Sequence, residues 1–505
     1  MKFVQLPLLK IILSVIALTT LVLIIYQPCA LDYARQDQLV YIQERTYFPN
    51  DWDWLFHSIS YNRTRLHGQG DYFLFRPGLH VFNAFNDIYL KDNQIVTGVL
   101  SIVLHLLITI LLYFLFKKYF VESPAFLFSA FFASQYAGLE MVAWRHISFY
   151  MLGILLLLIC LLLTSSKTRQ QNFIISIIMA ESMLFHEIIS VSVFLLILPL
   201  ALITTIKNQT KTDKHRTTHR LVYISIGALI IYFLLDGINW WITKPPSLLS
   251  PTDHFPKNYG YAIKNFFLYL GAGTQATFNP FSINMLWVHD RFSWIISKIN
   301  TQELFLWATG ATGAILTVAC LCLHRIFHRK ETLQDLLSLW ACCGIVSITA
   351  IFSFARATLR NSHYLDSQTY NYWFFSLFYT IIITYLFHKI FEKASLPSQW
   401  RMIIRSSAFV FLSVVILAQG WMTRSTISKN YNLTRARQIR NAILEGKKYF
   451  ASNPDSCIDQ NEPEEQKLGT IMKYLYKYRC DRRPGSSMVY TILNKNGSIQ
   501  FKLRP

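Results

Sequence analysis

The chain has 505 residues, 53% of them hydrophobic and only 15% charged, and its mean hydropathy is +0.31. A soluble globular domain carries about 25% charged residues, so this composition argues against a soluble fold and, with its long apolar runs, for a polytopic membrane protein. The net charge of +20 suits anionic lipid headgroups or phosphate-bearing substrates, not nucleic acid, because apolar spans dominate the chain.

The first run, Leu8 to Tyr26, follows a basic start. It has about the length of a full crossing, exceeds the ~7–15 residues of a signal-peptide core, and is followed by no A-x-A cleavage site. It reads as a retained signal-anchor. Further apolar segments run Ile95 to Phe116, Pro124 to Gly138, Ile147 to Leu163, Phe173 to Phe185, Ile188 to Ile206 and Leu221 to Ile242. The last four run Leu304 to Leu323, Leu336 to Phe354, Tyr370 to Phe387 and Ile403 to Met422. Each is expected to be helical, because a single chain in hydrocarbon must satisfy its own backbone hydrogen bonds. The expected fold is therefore an all-α polytopic membrane protein of about eleven transmembrane helices over residues 1–424. The stretch 173–206 is expected to turn at His186-Glu187, since charge in an apolar run belongs at a turn or cavity.

Short loops rich in Lys and Arg set the orientation. Lys117-Lys118, "SSKTRQQ", "KNQTKTDKHRTTHR", "HRIFHRK" and "HKIFEKASLPSQWRMIIR" all fall on one side, taken as cytoplasmic. The opposite side receives a long first loop, 27–94, a second large segment, 243–302, and a tail, 425–505. The tail reads as a small α/β unit outside the cytoplasm: "NLTRARQIRNAILEGKKYF" has helical periodicity, and "SMVYTILNKNGSIQFKL" alternates about an Asn496-Gly497 turn. The eight cysteines show no metal-ligand spacing; Cys320, Cys322, Cys342 and Cys343 lie in apolar runs, and Cys457 and Cys480 could pair in an oxidising tail.

The first outer loop is long, aromatic and mixed in charge, which marks a functional loop rather than a connector. Asp51 and Asp53 stand between tryptophans at the start of an expected surface helix, Trp52 to Tyr61. Either acid serves as a helix cap or as a general base on an incoming hydroxyl. Arg76, held extended before Pro77, suits a phosphate or a lipid headgroup. Glu140, Trp144, Arg145 and His146 cluster at a turn, as a substrate contact or as an interfacial belt with a local ion pair. Glu181, His186 and Glu187 interrupt apolar sequence and read first as a polar contact inside the bundle. Arg356 and Arg360 share a helical face, followed by His363 and Tyr364; positive charge on the outer side calls for a function such as phosphate binding.

The order of these pieces resembles the GT-C superfamily of polytopic glycosyltransferases, of the polyprenyl-phosphate-sugar-dependent, protein O-mannosyltransferase-like kind. The resemblance rests on the acids after the first span, "FRPGLHVFNAFNDIYL", the run "SAFFASQYAGLEMVAWRHISFYMLG", "MLFHEIISVSVFLLILPL", "YGYAIKNFFLYLGAGTQATFNP" with Asn265 and Pro280, and "LRNSHYL". It covers most of 52–390 and leaves out the tail. Where such proteins carry an Asp-Asp pair this chain has Asn50-Asp51, with Asp53 as an extra acid, and His186 replaces a lysine.

The resemblance implies transfer of a sugar from a polyprenyl- or dolichyl-phosphate donor to a glycan, lipid or protein acceptor. The reaction would take place on the periplasmic face of a bacterial inner membrane, or on the lumenal face of the endoplasmic reticulum. Asp51 or Asp53 would be the base, and Arg76, Glu140, Trp144, Arg145, Arg356, Arg360, His363 and Tyr364 would bind substrate. No ligand set demands a metal; a divalent cation such as Mg or Mn remains compatible. The alternative is a lipid or sugar transporter or flippase, against which stand the lack of paired halves and the concentration of polar mass on one side.

Overall fold

The structure is a computed structural model. It describes residues 2–31, 50–59, 76–86, 94–120, 122–164, 168–207, 213–243, 259–278, 313–315, 317–318, 333–355, 370–393, 398–430, 452, 456–458, 487–493 and 499–503. In chain order the helices are α1 (Lys2–Tyr26), followed by a 3-10 turn (Gln27–Leu31), α2 (Asp51–Ile59), α3 (Pro77–Phe85), α4 (Gln94–Tyr119), α5 (Glu122–Ser134), α6 (Gly138–Ala143), α7 (Arg145–Ser148), α8 (Tyr150–Leu163) and α9 (Arg169–Met183). Then come α10 (Glu187–Val191), a π-helical stretch (Ser192–Ile197), α11 (Leu198–Lys207), α12 (Asp213–Thr243), α13 (Tyr259–Phe278), α14 (Leu333–Ala355), α15 (Tyr370–Lys393) and α16 (Ser398–Asn430). In the tail β1 (Ser456–Ile458) pairs parallel with β2 (Ser487–Leu493), which pairs antiparallel with β3 (Ile499–Leu503). The β2–β3 pairing is the one the alternation around Asn496-Gly497 leads to; the turn itself and the helix expected over 432–450 lie outside the described residues.

Among the described residues, five windows are long and apolar enough to cross a membrane: Leu8–Ala30, Val96–Tyr119, His219–Asn239, Gln334–Ile351 and Met402–Ser428. Most of the apolar run expected over 304–323 lies outside the described residues. Helices α1 and α16 are peripheral, with 17% and 11% of their windows buried, against 56% for α4 and 61% for α14. The first helix is nonetheless part of the bundle: Leu18, Val22 and Tyr26 are fully buried, and it packs on α4, α5 and α16.

Among the described residues, the apolar helices α5 and α8 are too short to cross alone. The 13 residues of α5 and the 14 of α8 rise about 20 Å each, against about 30 Å of hydrocarbon. The turn that follows α5 lies deep, because Ala133 O is 3.4 Å from Nε2 of His105, which is nine residues, or about 14 Å, inside the span Val96–Tyr119. Non-helical backbone at that depth requires burial in protein or a polar cavity. Residues 135–139 are buried, as are 141–143, and Tyr26 donates its hydroxyl to Gln135 O at 3.2 Å. The chain between α5 and α8 is thus a recessed floor below one end of α4.

Polar side chains join the helices around this floor. Gln135 Nε2 donates to Thr380 Oγ1 at 3.3 Å, and Gln419 Nε2 to Thr277 O at 2.7 Å. Thr277 and Ser376 share a hydroxyl bond of 3.3 Å. Such bonds contribute about 0.6 kcal/mol each between helices in lipid. Helix α13, from the segment 243–302, is packed on α14 and α15, with Leu268, Tyr269 and Leu270 buried. Gly273 permits this, since a Cβ there would lie 2.5 Å from Cδ1 of Phe375. His388 and Lys389, counted from sequence among the charges outside the membrane, belong to α15 and are buried.

Candidate functional site

The acids of the first loop open α2. Asn50 caps it: its Nδ2 donates to Asp53 Oδ2 at 2.7 Å, and the Asp53 backbone N–H donates to Asn50 Oδ1 at 2.8 Å. This reciprocal pair satisfies one of the orphan N–H groups of the helix start. Asp53 therefore has a local structural task, whereas Asp51 is exposed in the first turn, beside an exposed Trp52. Both carboxylates also favour the positive end of the helix.

Helix α2 packs against α3, and α3 docks on the break after α9. Pro77 sets the first turn of α3 with its φ already helical. Gly78 follows, and its N–H donates to Leu184 O at 3.1 Å. A Cβ at Gly78 would stand 3.1 Å from Cε2 of Phe185 and 3.2 Å from Leu184 O, so a side chain there would crowd this docking. Phe82, one turn on, lies between Phe149 and Phe185 at centroid distances of 5.5 and 5.7 Å.

The apolar stretch 173–206 is broken at 184–186, where the sequence places a turn. His186 is extended, and its Nδ1 accepts the Ile188 N–H at 3.0 Å, capping α10. That bond uses the Nδ1 lone pair, so the proton of the neutral ring sits on Nε2. The break is pressed against α8 through Gly153, where a Cβ would lie 2.6 Å from Ile189 Cδ1 and 2.9 Å from Ser182 O.

Arg76 is held here. Its Nη1 donates to the Tyr150 hydroxyl at 2.5 Å, and the guanidinium carbon is 5.4 Å from that ring's centroid. The Tyr150 ring stands edge-on to His186 at 4.3 Å, and His186 lies 5.1 Å from Phe374. A half-buried guanidinium, a phenol and a buried imidazole from three distant parts of the chain thus meet within one aromatic nest. The guanidinium and the imidazole are side chains of the kind that meet an anionic oxygen ligand.

The other candidate residues divide into two groups. Glu140 is half-buried in α6, Trp144 is the half-buried extended residue joining α6 to α7, and Arg145 opens α7, its side chain outside the described part. All three belong to the floor segment that leads into Tyr150. Arg356, Arg360, His363 and Tyr364 lie in 356–369, outside the described residues, as does a Cys457–Cys480 pairing. The described neighbours of 356–369 are Ala355 and Tyr370, and Phe374 is one turn beyond the latter. Among the described residues, no group of three His, Cys, Asp or Glu could hold a metal ion.

Tyr150 was missing from the candidates read in the sequence. The signal for it is weak, a single hydroxyl at the head of an apolar run, indistinguishable there from an interfacial anchor. No known protein-family model matches this chain, and none of the curated proteins matches it.

Proposed function

We propose that the chain is a membrane glycosyltransferase that moves a sugar from a polyprenyl- or dolichyl-phosphate donor to an acceptor at the end of the bundle where α2 and α3 lie. The observation that supports this reading most is the docking of the acid-bearing loop on the broken segment, which puts Arg76 against Tyr150 and Tyr150 against His186. In this reading Asp51 is the base that takes the acceptor proton, and Asp53 holds the helix start through Asn50. Arg76, which donates to Tyr150, holds the donor phosphate, and Arg356 and Arg360 add to it. The phosphate is already a leaving group, so positioning and charge stabilisation supply the rest of the rate. The remaining apolar runs complete an eleven-span topology with this site outside the cytoplasm, and the tail forms a small α/β unit on the same side.

The test compares envelope glycans of cells that carry the chain, lack it, or carry Asp51→Asn or Asp53→Asn. A glycan lost without the chain and with Asp51→Asn, but kept with Asp53→Asn, supports the assignment. Unchanged glycans in all four, together with movement of a labelled lipid that depends on the chain, would replace the transferase with a flippase.

A further inference from the structure

A second charged cluster lies away from the site. Asp335 Oδ1 and Lys389 Nζ are 2.8 Å apart, and both side chains are 1% exposed. Asp335 is in the first turn of α14, and Lys389 is near the end of α15. Tyr385, one turn before Lys389, donates its hydroxyl to Asp335 Oδ1 at 3.0 Å, and its ring centroid is 5.1 Å from the ammonium. Phe120 closes the cluster edge-on, 6.5 Å from Tyr385 and 6.2 Å from His388. Lys389 is fifteen residues, or about 22 Å, along α15 from Phe374, so the pair does not touch the Arg76–Tyr150–His186 nest.

Farther along the α14–α15 interface an aromatic contact is seen. Trp340 meets Phe378 edge-on at 5.1 Å, and Gly344 leaves room for that ring, whose Cε2 would lie 2.7 Å from a Cβ at this position. Apolar ridges of this kind can be re-seated one turn away, a slide of about 5.4 Å. Such a slide separates Asp335 from Lys389 and leaves each charge alone in the interior, which is far less favourable than having neither. A buried polar group that punishes every register but one is a registry device, as in coiled-coil seams.

We infer that the Asp335–Lys389 pair locks the axial register of α15 against α14, and so sets the height at which Phe374, at the far end of α15, backs His186. The lock belongs to the bundle and holds whatever reaction the nest serves.

The test uses the full chain in native membranes with His186→Cys and Phe374→Cys, a short bifunctional thiol reagent, and mass spectrometry of the linked peptides. Asp335→Asn with Lys389→Met removes both charges together. The doubly neutral chain is expected to accumulate like its parent but to give at least threefold less 186–374 crosslink, as other registers become populated. The exchange of charges, Asp335→Lys with Lys389→Asp, is expected to restore the crosslink to within twofold. A pair that merely adds stability would leave the crosslink of the doubly neutral chain unchanged, and that result overturns the inference, as does an exchange that fails to restore it. Should the doubly neutral chain fail to accumulate, the charge-exchanged chain decides alone: a restored crosslink supports the lock and an absent one refutes it.

Discussion

The two ends of α15 hold charge in opposite ways. Near its start Phe374 backs His186, and there the cation, Arg76, is half-buried and bonded to a phenol among aromatic rings. Near its end the cation, Lys389, is sealed against a carboxylate with both partners 1% exposed. Burial decides what each arrangement can do. A sealed pair has exchanged water for its partner and has little left for a ligand, so its work is structural. A half-buried guanidinium still faces water, and its charge suits an anion there.

The contrast is broken most severely at the sealed end. Lys389→Met leaves Asp335 buried without its cation and should cost about 3–5 kcal/mol, read as a lower unfolding temperature of the detergent-solubilised chain. The same loss of charge at the other end, Arg76→Met, should cost less, since the partner lost is a neutral hydroxyl, and on the proposed function should weaken donor binding. A smaller effect should follow from Tyr150→Phe, which deletes the hydroxyl that receives Arg76 and should cost about 1.5–3 kcal/mol, the value of a hydrogen bond to a charged group. Smallest is Asn50→Ala, which removes the cap of α2 and should cost about 1 kcal/mol, measurable as faster amide exchange confined to residues 51–59.

How legible these ends are in the sequence differs for a physical reason. Hydropathy reports how apolar a segment is, and it reveals the long helices α1, α4, α12, α14 and α16 directly. The break at His186 is also legible, because a titratable pair inside an apolar run is costly unless the helix ends there. The β2–β3 pairing follows from alternation about Asn-Gly. What hydropathy cannot report is which faces meet. Arg76 and Tyr150 are 74 positions apart, and Tyr385 and Asp335 are 50 apart. Lys389 reads as a loop charge because a basic residue at the end of an apolar run ordinarily lies in water; only the packing of α14 shows that it has a carboxylate partner inside. The recessed floor between α5 and α8 is hidden for a related reason, since short helices and full crossings have similar composition until their neighbours fix their depth.

The most direct measurement follows a labelled sugar from a polyprenyl-phosphate donor into envelope material, in membranes that contain the chain or its Asp51→Asn form at equal, folded abundance. A general base contributes at least about 10²-fold, so transfer should depend on the chain and fall by about that factor with Asp51→Asn, while Asp53→Asn retains most of it. Transfer equal in membranes with and without the chain, or undiminished by Asp51→Asn, would contradict a site built from α2, α3 and the broken segment.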